Sequence, residues 1–309
     1  MNRFKTYCYA LCVGFLFSQC EHSAPSQAQA QGKGQGLYEK EEFKNYWYAG
    51  KAEISSYTLD QARYGENHSG KAVLIFVTED FSKKKEVKLD EADKAGEDKV
   101  SILKMNFTKN FVTGIYPYSM MLSVFTPVSR NQFPNSLKAT MSSQEWCGHV
   151  FSQMNLRAKK YDIESYSYFE KEGDAKFSID RILLEDELWN IIRLDPDNLP
   201  KGKFMIIPGL FYMRLKHADL KMIEVTGVKS DQGGDAKYTI TYPDRKLSIL
   251  FEKNFPHKIM GWEEEFEERG KPAYTKAILD KTLYTDYWTK NKNQNKFLRD
   301  SLGLSPNNY

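Results

Sequence analysis

The sequence predicts a mainly β (α+β) fold, with one large curved antiparallel sheet or half-barrel wrapped around a single main helix at about residues 178–193. From Tyr46 onward apolar and polar residues alternate, which is the period of a half-buried strand. Aromatic residues make up 14% of the chain, and they favour pleated surfaces. Turn-forming residues, as at 65–70 and 157–160, separate the alternating segments. This pattern indicates consecutive antiparallel hairpins.

The predicted strands fall into two groups, one before and one after the helix. The first group comprises residues 48–59, 72–78, 100–107, 120–125, 137–141, 146–156 and 161–169. The second group comprises residues 204–207, 211–215, 222–228, 238–242, 247–251, 259–266 and 273–279. No fixed repeat period and no second linker interrupt them. We therefore expect a single β-rich domain over residues 38–309, with the alternative of two half-sheets on either side of the helix.

The helix is the one segment that breaks the alternation. Ser178 can cap its start, and Leu184, Leu188 and Ile191 recur at helical spacing. Asp195-Pro196 ends it, since proline cannot continue a helix.

The first nineteen residues have the pattern of a lipoprotein signal peptide. Arg3 and Lys5 precede an apolar run at residues 7–17, which is shorter than the ~18 residues of a spanning helix. Cys20 follows as the expected lipid attachment site. Glu21, in place of the aspartate that retains many lipoproteins at the inner membrane, favours the outer membrane, with the domain facing the periplasm or the surface. An alternative is cleavage after residues 28–30 and secretion to the periplasm.

Residues 20–37 carry hardly any apolar side chain and are rich in Gln, Ala and Gly, which is typical of a flexible tether. Loss of Cys8 and Cys12 with the signal, and lipidation of Cys20, would leave only Cys147. The mature chain would then have no intramolecular disulfide. The net charge of +3, reduced further by loss of the signal, argues against a nucleic-acid partner. The sequence also contains no Gly-x-x-x-x-Gly-Lys nucleotide loop.

Two motifs suggest chemistry. Trp146-Cys147-Gly148-His149 resembles the start of a thioredoxin-type disulfide-isomerase site, but Val150 stands where the second cysteine would be. A monothiol redox role for Cys147, helped by His149, is one alternative. The structural alternative is a strand over residues 146–154 in which Cys147 is a small, half-buried hydrophobe.

The second motif is the acidic run at residues 263–268. On a strand, Glu264 shares a face with Trp262, while Glu263 is on the opposite face and can pair with Lys276 of the next strand. A solvated face is the simpler interpretation of this run, and an inward Glu264 near Trp262 is the residue to inspect for a raised pKa. An envelope-polymer hydrolase using carboxylates is the second alternative function. The five histidines lack metal-binding spacing, so no metal and no cofactor are expected.

Three segments carry a family resemblance: YWYAGKAE (46–53), KAVLIFVTED (71–80) and SSQEWCG (142–148). They resemble an uncharacterised lipoprotein family of Gram-negative bacteria, some members of which are labelled septum formation inhibitor Maf. Maf nucleotide pyrophosphatases carry paired arginines after Ser-Pro, and this chain has no Arg-Arg. The resemblance therefore implies a location and a fold, but no activity.

The expected architecture is similar to the half-barrels of periplasmic lipoprotein carriers, whose concave face holds acyl chains. The lipid anchor, the tether and a strand-rich domain without a catalytic signature lead us to expect a non-enzymatic lipoprotein that binds a lipophilic ligand or another envelope component. Seven aromatic residues are the candidate wall of such a site: Phe76, Phe107, Phe125, Trp189, Phe211, Phe251 and Trp262. Glu264, Cys147 and His149 are the candidate polar site.

Overall fold

The computed structural model describes residues 37–304. The predicted signal peptide (1–19), the lipid attachment at Cys20 and nearly all of the predicted tether (20–37) lie outside the described residues. The elements, in chain order, are α1 Glu41–Trp47, β1 Ala52–Arg63, β2 Glu66–Ser82, β3 Val87–Lys88, β4 Lys99–Thr113, β5 Tyr116–Pro127, β6 Lys138–Glu145, β7 Gly148–Arg157, β8 Lys160–Ser167, β9 Ala175–Asp180, β10 Leu183–Leu184, α2 Leu188–Leu194, β11 Gly202–Ile207, α3 Leu210–Lys216, β12 Ile223–Gln232, β13 Asp235–Thr241, β14 Arg245–Glu252, β15 Ile259–Glu268, β16 Lys271–Thr285 and α4 Phe297–Ser301.

Over residues 37–304, sixteen strands form one sheet. Their order is β10-β11-β12-β13-β14-β15-β16-β1-β2-β4-β5-β6-β7-β8-β9, with β3 paired to β2. Neighbours are antiparallel, apart from the short parallel pair β10–β11. The prediction of a mainly β fold built on one large antiparallel sheet is confirmed.

The two halves of the chain form the two halves of this sheet. Strands β4 to β9 follow one another as hairpins before α2, and β11 to β16 do the same after it. The halves join where β16 returns to β1, with Ala52 opposite Thr285 at one end of the ladder. The predicted pair across β15 and β16 is confirmed, because Glu263 is opposite Lys276 and its Oε1 is 2.8 Å from Nζ of the lysine.

The sheet must curl, because its two end strands are neighbours in the chain. Only Arg181 and Ile182 separate the last residue of β9 from the first residue of β10. Three Cα–Cα steps span at most about 11 Å. The ends of the sheet therefore meet at this point without an assigned pairing between them. We call the gap between β9 and the chain around β10 the seam.

Helix α2 lies inside this curl. All seven of its residues are buried, and a helix that is apolar on most sides is expected only in an interior. The Asn190 side chain donates a hydrogen bond of 2.7 Å to Thr126 Oγ1. The Trp189 ring centroid is 5.4 Å from that of Phe107 and 5.3 Å from that of Trp262. Helix α2 is therefore packed against strands from both halves of the sheet.

The predicted helix bounds of 178–193 are wrong at the N-terminal end. Ser178 does not cap a helix: it lies in β9 opposite Asp162 of β8, and its hydroxyl donates to that carboxylate at 2.8 Å. Strand alternation over residues 175–180 outweighs the capping signal. The C-terminal end is confirmed, since α2 stops at Leu194, before Asp195-Pro196. The described residues contain four short helices rather than one main helix.

Residues 211–215, predicted as a strand, form most of α3. Leu, Met and Arg are good helix formers, and Pro208-Gly209 before them is a typical place for a helix to begin. His217 ends the helix in the left-handed conformation, with φ of 50°. The alternation of Phe211, Met213 and Leu215 that suggested a strand is incidental.

A fully buried ion pair ties α2 to the sheet. Glu53, at the start of β1, and Arg193, near the end of α2, have no exposed surface, and Nη2 of the arginine donates to Oε2 of the glutamate at 2.7 Å. Arg193 also donates from Nε to the Pro256 carbonyl at 3.0 Å and lies 4.8 Å from the Phe76 ring centroid. Both charges are therefore paired and hydrogen-bonded, as buried charges must be.

Candidate functional site

The predicted wall residues pack against one another in the interior. Phe76, Phe107, Trp189, Phe211, Phe251 and Trp262 belong to the main core, whereas Phe125 packs in a smaller cluster with Phe81. Phe107 has ring centroids of three other aromatic residues within 5.4 Å, those of Trp189, Phe211 and Trp262. These side chains fill the concave face, and none of the seven lines the pocket described next.

A pocket of about 280 Å³, which we call the seam pocket, lies beside the seam. Strands β6 to β9 form one wall, and α3 with the residues just after it forms the other. Its position follows from the topology, because β9 is the last strand of the sheet and has a paired neighbour on one side only.

The strand wall is apolar with a small polar patch. Met141, Val150 and Ile163 are buried and project from three successive strands. Ser152 of β7 is opposite Ser165 of β8, and their hydroxyl oxygens are 3.0 Å apart. From the other wall, α3 and the following turn contribute apolar side chains: Leu210, Met213, Ala218 and Leu220.

The charged part of the pocket is centred on Arg214 of α3. Its side chain is 3% exposed and stacks on Phe169, with the guanidinium carbon 4.4 Å from the ring centroid. Nη1 donates to Glu172 Oε1 at 3.3 Å, and His217 Nδ1 is 2.6 Å from the same oxygen. Burial lowers the pKa of Arg214, while the Glu172 carboxylate opposes that change. The Nε of Arg214 is buried without a hydrogen-bond partner in the described structure.

Glu172 lies on the loop between β8 and β9, which Gly148 helps to position. A Cβ built on Gly148 would come within 2.6 Å of the Tyr168 side chain, so only glycine leaves room for that ring. The Gly148 of the Trp-Cys-Gly-His motif therefore has a packing role beside the pocket rather than a role in redox chemistry.

Cys147 and His149 lie on the surface at the turn between β6 and β7. The prediction of a half-buried Cys147 within a strand is wrong: β6 ends at Glu145 and β7 begins at Gly148, so Cys147 is exposed in the turn between them. The Glu145 carboxylate, which interacts with the thiol, raises the pKa of Cys147, whereas a reactive thiolate needs a lowered one. His149 is exposed at the start of β7.

Glu264 points inward beside Trp262, and its pKa is lowered rather than raised. Burial acts to raise the pKa, yet Arg245 and Lys109 outweigh it and lower it below the ordinary value. Arg245 Nη2 donates to Glu264 Oε2 at 3.1 Å, and Lys109 Nζ is 3.6 Å from Oε1. Neither cation is close to Glu264 in the sequence, so no local pattern could reveal them. Glu264, buried among these cations, does not form one site with Cys147 and His149.

Arg245 connects Glu264 to two further buried acids, Glu185 and Asp186. It donates from Nη2 to Glu185 Oε1 at 2.8 Å. Asp186 Oδ2 accepts the backbone N–H of Leu210, the first residue of α3, at 3.0 Å. Burial, assisted by the charge of Glu185, raises the pKa of Asp186 to about 8. The space beside Lys109 and Glu264 is only about 10 Å³, enough for one water molecule, so these opposite shifts arise in a packed interior rather than in a cleft.

We expect Asp186 to make the protein less stable as pH rises. Its pKa is about 8 in the folded chain, against 3.8 ordinarily, so the folded state holds a proton that the unfolded state releases above about pH 4. The stabilisation that comes from this bound proton is fully present below about pH 4, and it declines as pH rises to about 8. Urea denaturation of the wild type and Asp186→Asn between pH 5 and 8 should show the wild type losing stability relative to the variant. A constant difference across this range would contradict the assignment.

The pocket residues were missed because the signals for them are indirect. Strand alternation places Val150, Ser152, Ile163 and Ser165 on inward faces, but that pattern also describes ordinary core. The opposite wall of the pocket is formed by α3, and the sequence pattern of residues 211–215 predicts a strand there instead of a helix. A helix assigned after Pro208-Gly209 would have indicated a second inward element opposite the β6–β9 face.

Within residues 37–304, no helix is both long and apolar enough to cross a bilayer. Over the same range, no group of three His, Cys, Asp or Glu side chains is arranged to hold a metal ion.

Comparisons with known proteins identify one similar structure. No protein-family model matches the chain, and no curated protein matches it. The chain is similar to a crystal structure of a beta-barrel-like protein of the domain of unknown function DUF1849 from Brucella abortus. The similarity has a TM-score of 0.48 at 11% sequence identity, and it covers 76% of this chain and 98% of the other. A likeness at this level implies nothing about activity.

Proposed function

We propose that this protein is a cell-envelope lipoprotein whose β-domain binds an amphiphilic ligand in the seam pocket. The observation that supports this most directly is the mixed lining of the pocket. Apolar side chains from β6 to β9 and α3 line about half of it, while two serines and the charged residues Lys171, Glu172, Arg214 and Asp219 line the rest. Apolar walls with a few placed polar groups are typical of small-molecule sites.

The size of the pocket limits what it holds. Ligand sites commonly measure ~300–1,000 Å³, so a pocket of about 280 Å³ is at the small end of that range. It fits the polar head and the first part of one chain better than a whole two-chain lipid. The rest of the ligand would extend through the seam, where β9 has no second neighbouring strand.

The envelope location rests on the N-terminal sequence. Arg3, Lys5, the apolar run at 7–17 and Cys20 support a signal peptide followed by an acylated cysteine. One acyl chain gives only marginal membrane binding, whereas two or more anchor stably. The outer membrane is the proposed location, as Glu21 favours.

We expect Cys20→Ser to release the protein from membranes, because the variant has no thiol on which to place acyl chains. The measurement is the distribution between membrane and soluble fractions after cell disruption. Cys147→Ser, which leaves Cys20 intact, is the matched control and should stay with the membranes. If Cys20→Ser also stays, the lipid-anchor assignment is wrong.

We expect Ala175→Trp to abolish ligand binding by filling the pocket. Ala175 is a half-buried pocket residue on β9, so an indole there occupies the space of the ligand. Native mass spectrometry of the purified protein, followed by lipid extraction, should show a lipophilic adduct on the wild type and none on Ala175→Trp. Ala92→Trp, outside the pocket, is the control and should retain the adduct. A wild type without any adduct, both as isolated and after incubation with envelope lipids, would overturn the proposed function.

A further inference from the structure

We propose that the ligand of the seam pocket carries a zwitterionic head, with an anionic group and a cationic group close together. This inference rests on the proposed function, which specifies an amphiphile but not its charge. It is argued from the four charged residues that line the pocket: Lys171, Glu172, Arg214 and Asp219.

Two of these four charges neutralise each other. Arg214 and Glu172 form an ion pair of 3.3 Å, so together they present little net charge to a ligand. Arg214 still offers directional binding, because it lines the pocket and its guanidinium has N–H groups beyond the Nη1 donor that pairs with Glu172. A guanidinium suits phosphate or carboxylate oxygens, which accept more than one N–H.

The other two charges are free and opposite in sign. Lys171 comes from the loop between β8 and β9, and Asp219 comes from the turn after α3. Both are exposed, and within residues 37–304 neither has a hydrogen-bond or ion-pair partner. The pocket is thus bordered by one unpaired cation and one unpaired anion, from its two different walls.

This arrangement discriminates between head groups. An anionic group near Lys171 and Arg214 places an attached ammonium near Asp219, so a zwitterion satisfies both free charges. A head with only negative charge gains the first contact but is repelled by Asp219. An uncharged head gains neither. Complementary charges chiefly determine specificity, and like charges brought together disfavour the wrong partner.

The test uses three short-chain lipids with identical acyl chains, titrated into the purified full chain by isothermal calorimetry. The heads are phosphoethanolamine (zwitterionic), phosphoglycerol (anionic) and glycerol alone (uncharged). We expect the zwitterionic lipid to bind roughly fivefold more tightly than either of the others, because a contact between exposed charges is worth up to about 1 kcal/mol.

Two substitutions at exposed positions test the contact with Asp219 and the contact with Lys171 one at a time. Asp219→Asn should weaken binding of the zwitterionic lipid and strengthen that of the anionic lipid, so that their ratio approaches one. Lys171→Gln should weaken both charged lipids and leave the uncharged lipid unchanged. Glu170→Gln, next to Lys171 but outside the pocket, is the control and should preserve the wild-type ratio.

The outcomes distinguish this inference from the proposed function. If all three lipids bind the wild type equally, the zwitterionic head is wrong and amphiphile binding stands. If the anionic lipid binds best and Asp219→Asn has no effect, the assignment of Asp219 is wrong. If none of the three binds and the protein also carries no adduct in native mass spectrometry, the proposed function fails together with the inference.

Discussion

Phe107→Ala is expected to lower the free energy of unfolding by about 3–5 kcal/mol, the usual range for deleting a buried aromatic side chain. Phe107 is 3% exposed, and its ring meets those of Trp189, Phe211 and Trp262 at the centre of the curled sheet. Truncation removes the contacts of all three rings at once and leaves a cavity that the tightly packed interior cannot easily collapse. Urea denaturation followed by circular dichroism measures the change.

Phe297→Ala is the matched control, because Phe297 in α4 is 60% exposed and loses little buried area. We expect it to change stability by less than about 0.5 kcal/mol. A small effect at Phe107 as well would mean that the aromatic side chains line a compliant space, as the sequence suggested, rather than a packed core.

Arg193→Met is expected to be comparably damaging, at about 3–5 kcal/mol, because it leaves the Glu53 carboxylate buried without a counter-charge. Burial alone would raise the pKa of Glu53, but Arg193 holds it below the ordinary value of 4.5. The stabilisation is therefore present at neutral pH and above about 4.5, and it is lost as pH falls through the lower folded value. Thermal and urea denaturation at pH 7 measure it.

The double variant Glu53→Leu/Arg193→Met tests whether the loss of stability comes from an unpaired charge or from lost packing. If the single variant fails because of an unpaired charge, removing both charges should recover much of the loss, since buried pairs are often replaceable by apolar residues. Lys203→Met is the control: its pair with Glu224 is 75% and 60% exposed, and we expect an effect of at most about 1 kcal/mol. No recovery in the double variant would mean that Arg193 stabilises the fold by packing against Phe76 and Trp47 rather than by its charge.

Much of the sheet could be predicted because its hairpins are local. Alternation and turn residues identify both partners of each neighbouring pair, and the predicted contact of Glu263 with Lys276 follows from register alone. The pairing of β1 with β16 could not be predicted in this way, since no turn joins them. The short helix α3 could not be identified from its pattern, because the spacing of Phe211, Met213 and Leu215 fits the period of a strand as well as that of a helix.

The candidate site was harder to predict for a related reason. Its charges come from separate parts of the chain, Lys171 and Glu172 from one loop and Arg214 and Asp219 from another element. Aromatic content indicates where large side chains are buried, but these side chains fill the interior. The seam pocket lies at the end of the sheet, where smaller residues such as Ala175 and Ser165 occur. A sequence pattern shows which face is inward, but it does not show whether that face is filled.

The pairing of β16 with β1 also has a kinetic consequence. Every other antiparallel pair in the described sheet joins strands that are close in the chain, whereas Ala52 and Thr285 belong to opposite ends of the domain. Contacts between distant residues are slow to form, because a long loop must close before they contribute any energy. Each half can assemble its hairpins as it emerges from synthesis or export, but the curl around α2 is completed only when the last long strand is available. A chain cut short before residue 271 would therefore leave the edge of β1 exposed and open to pairing with other chains.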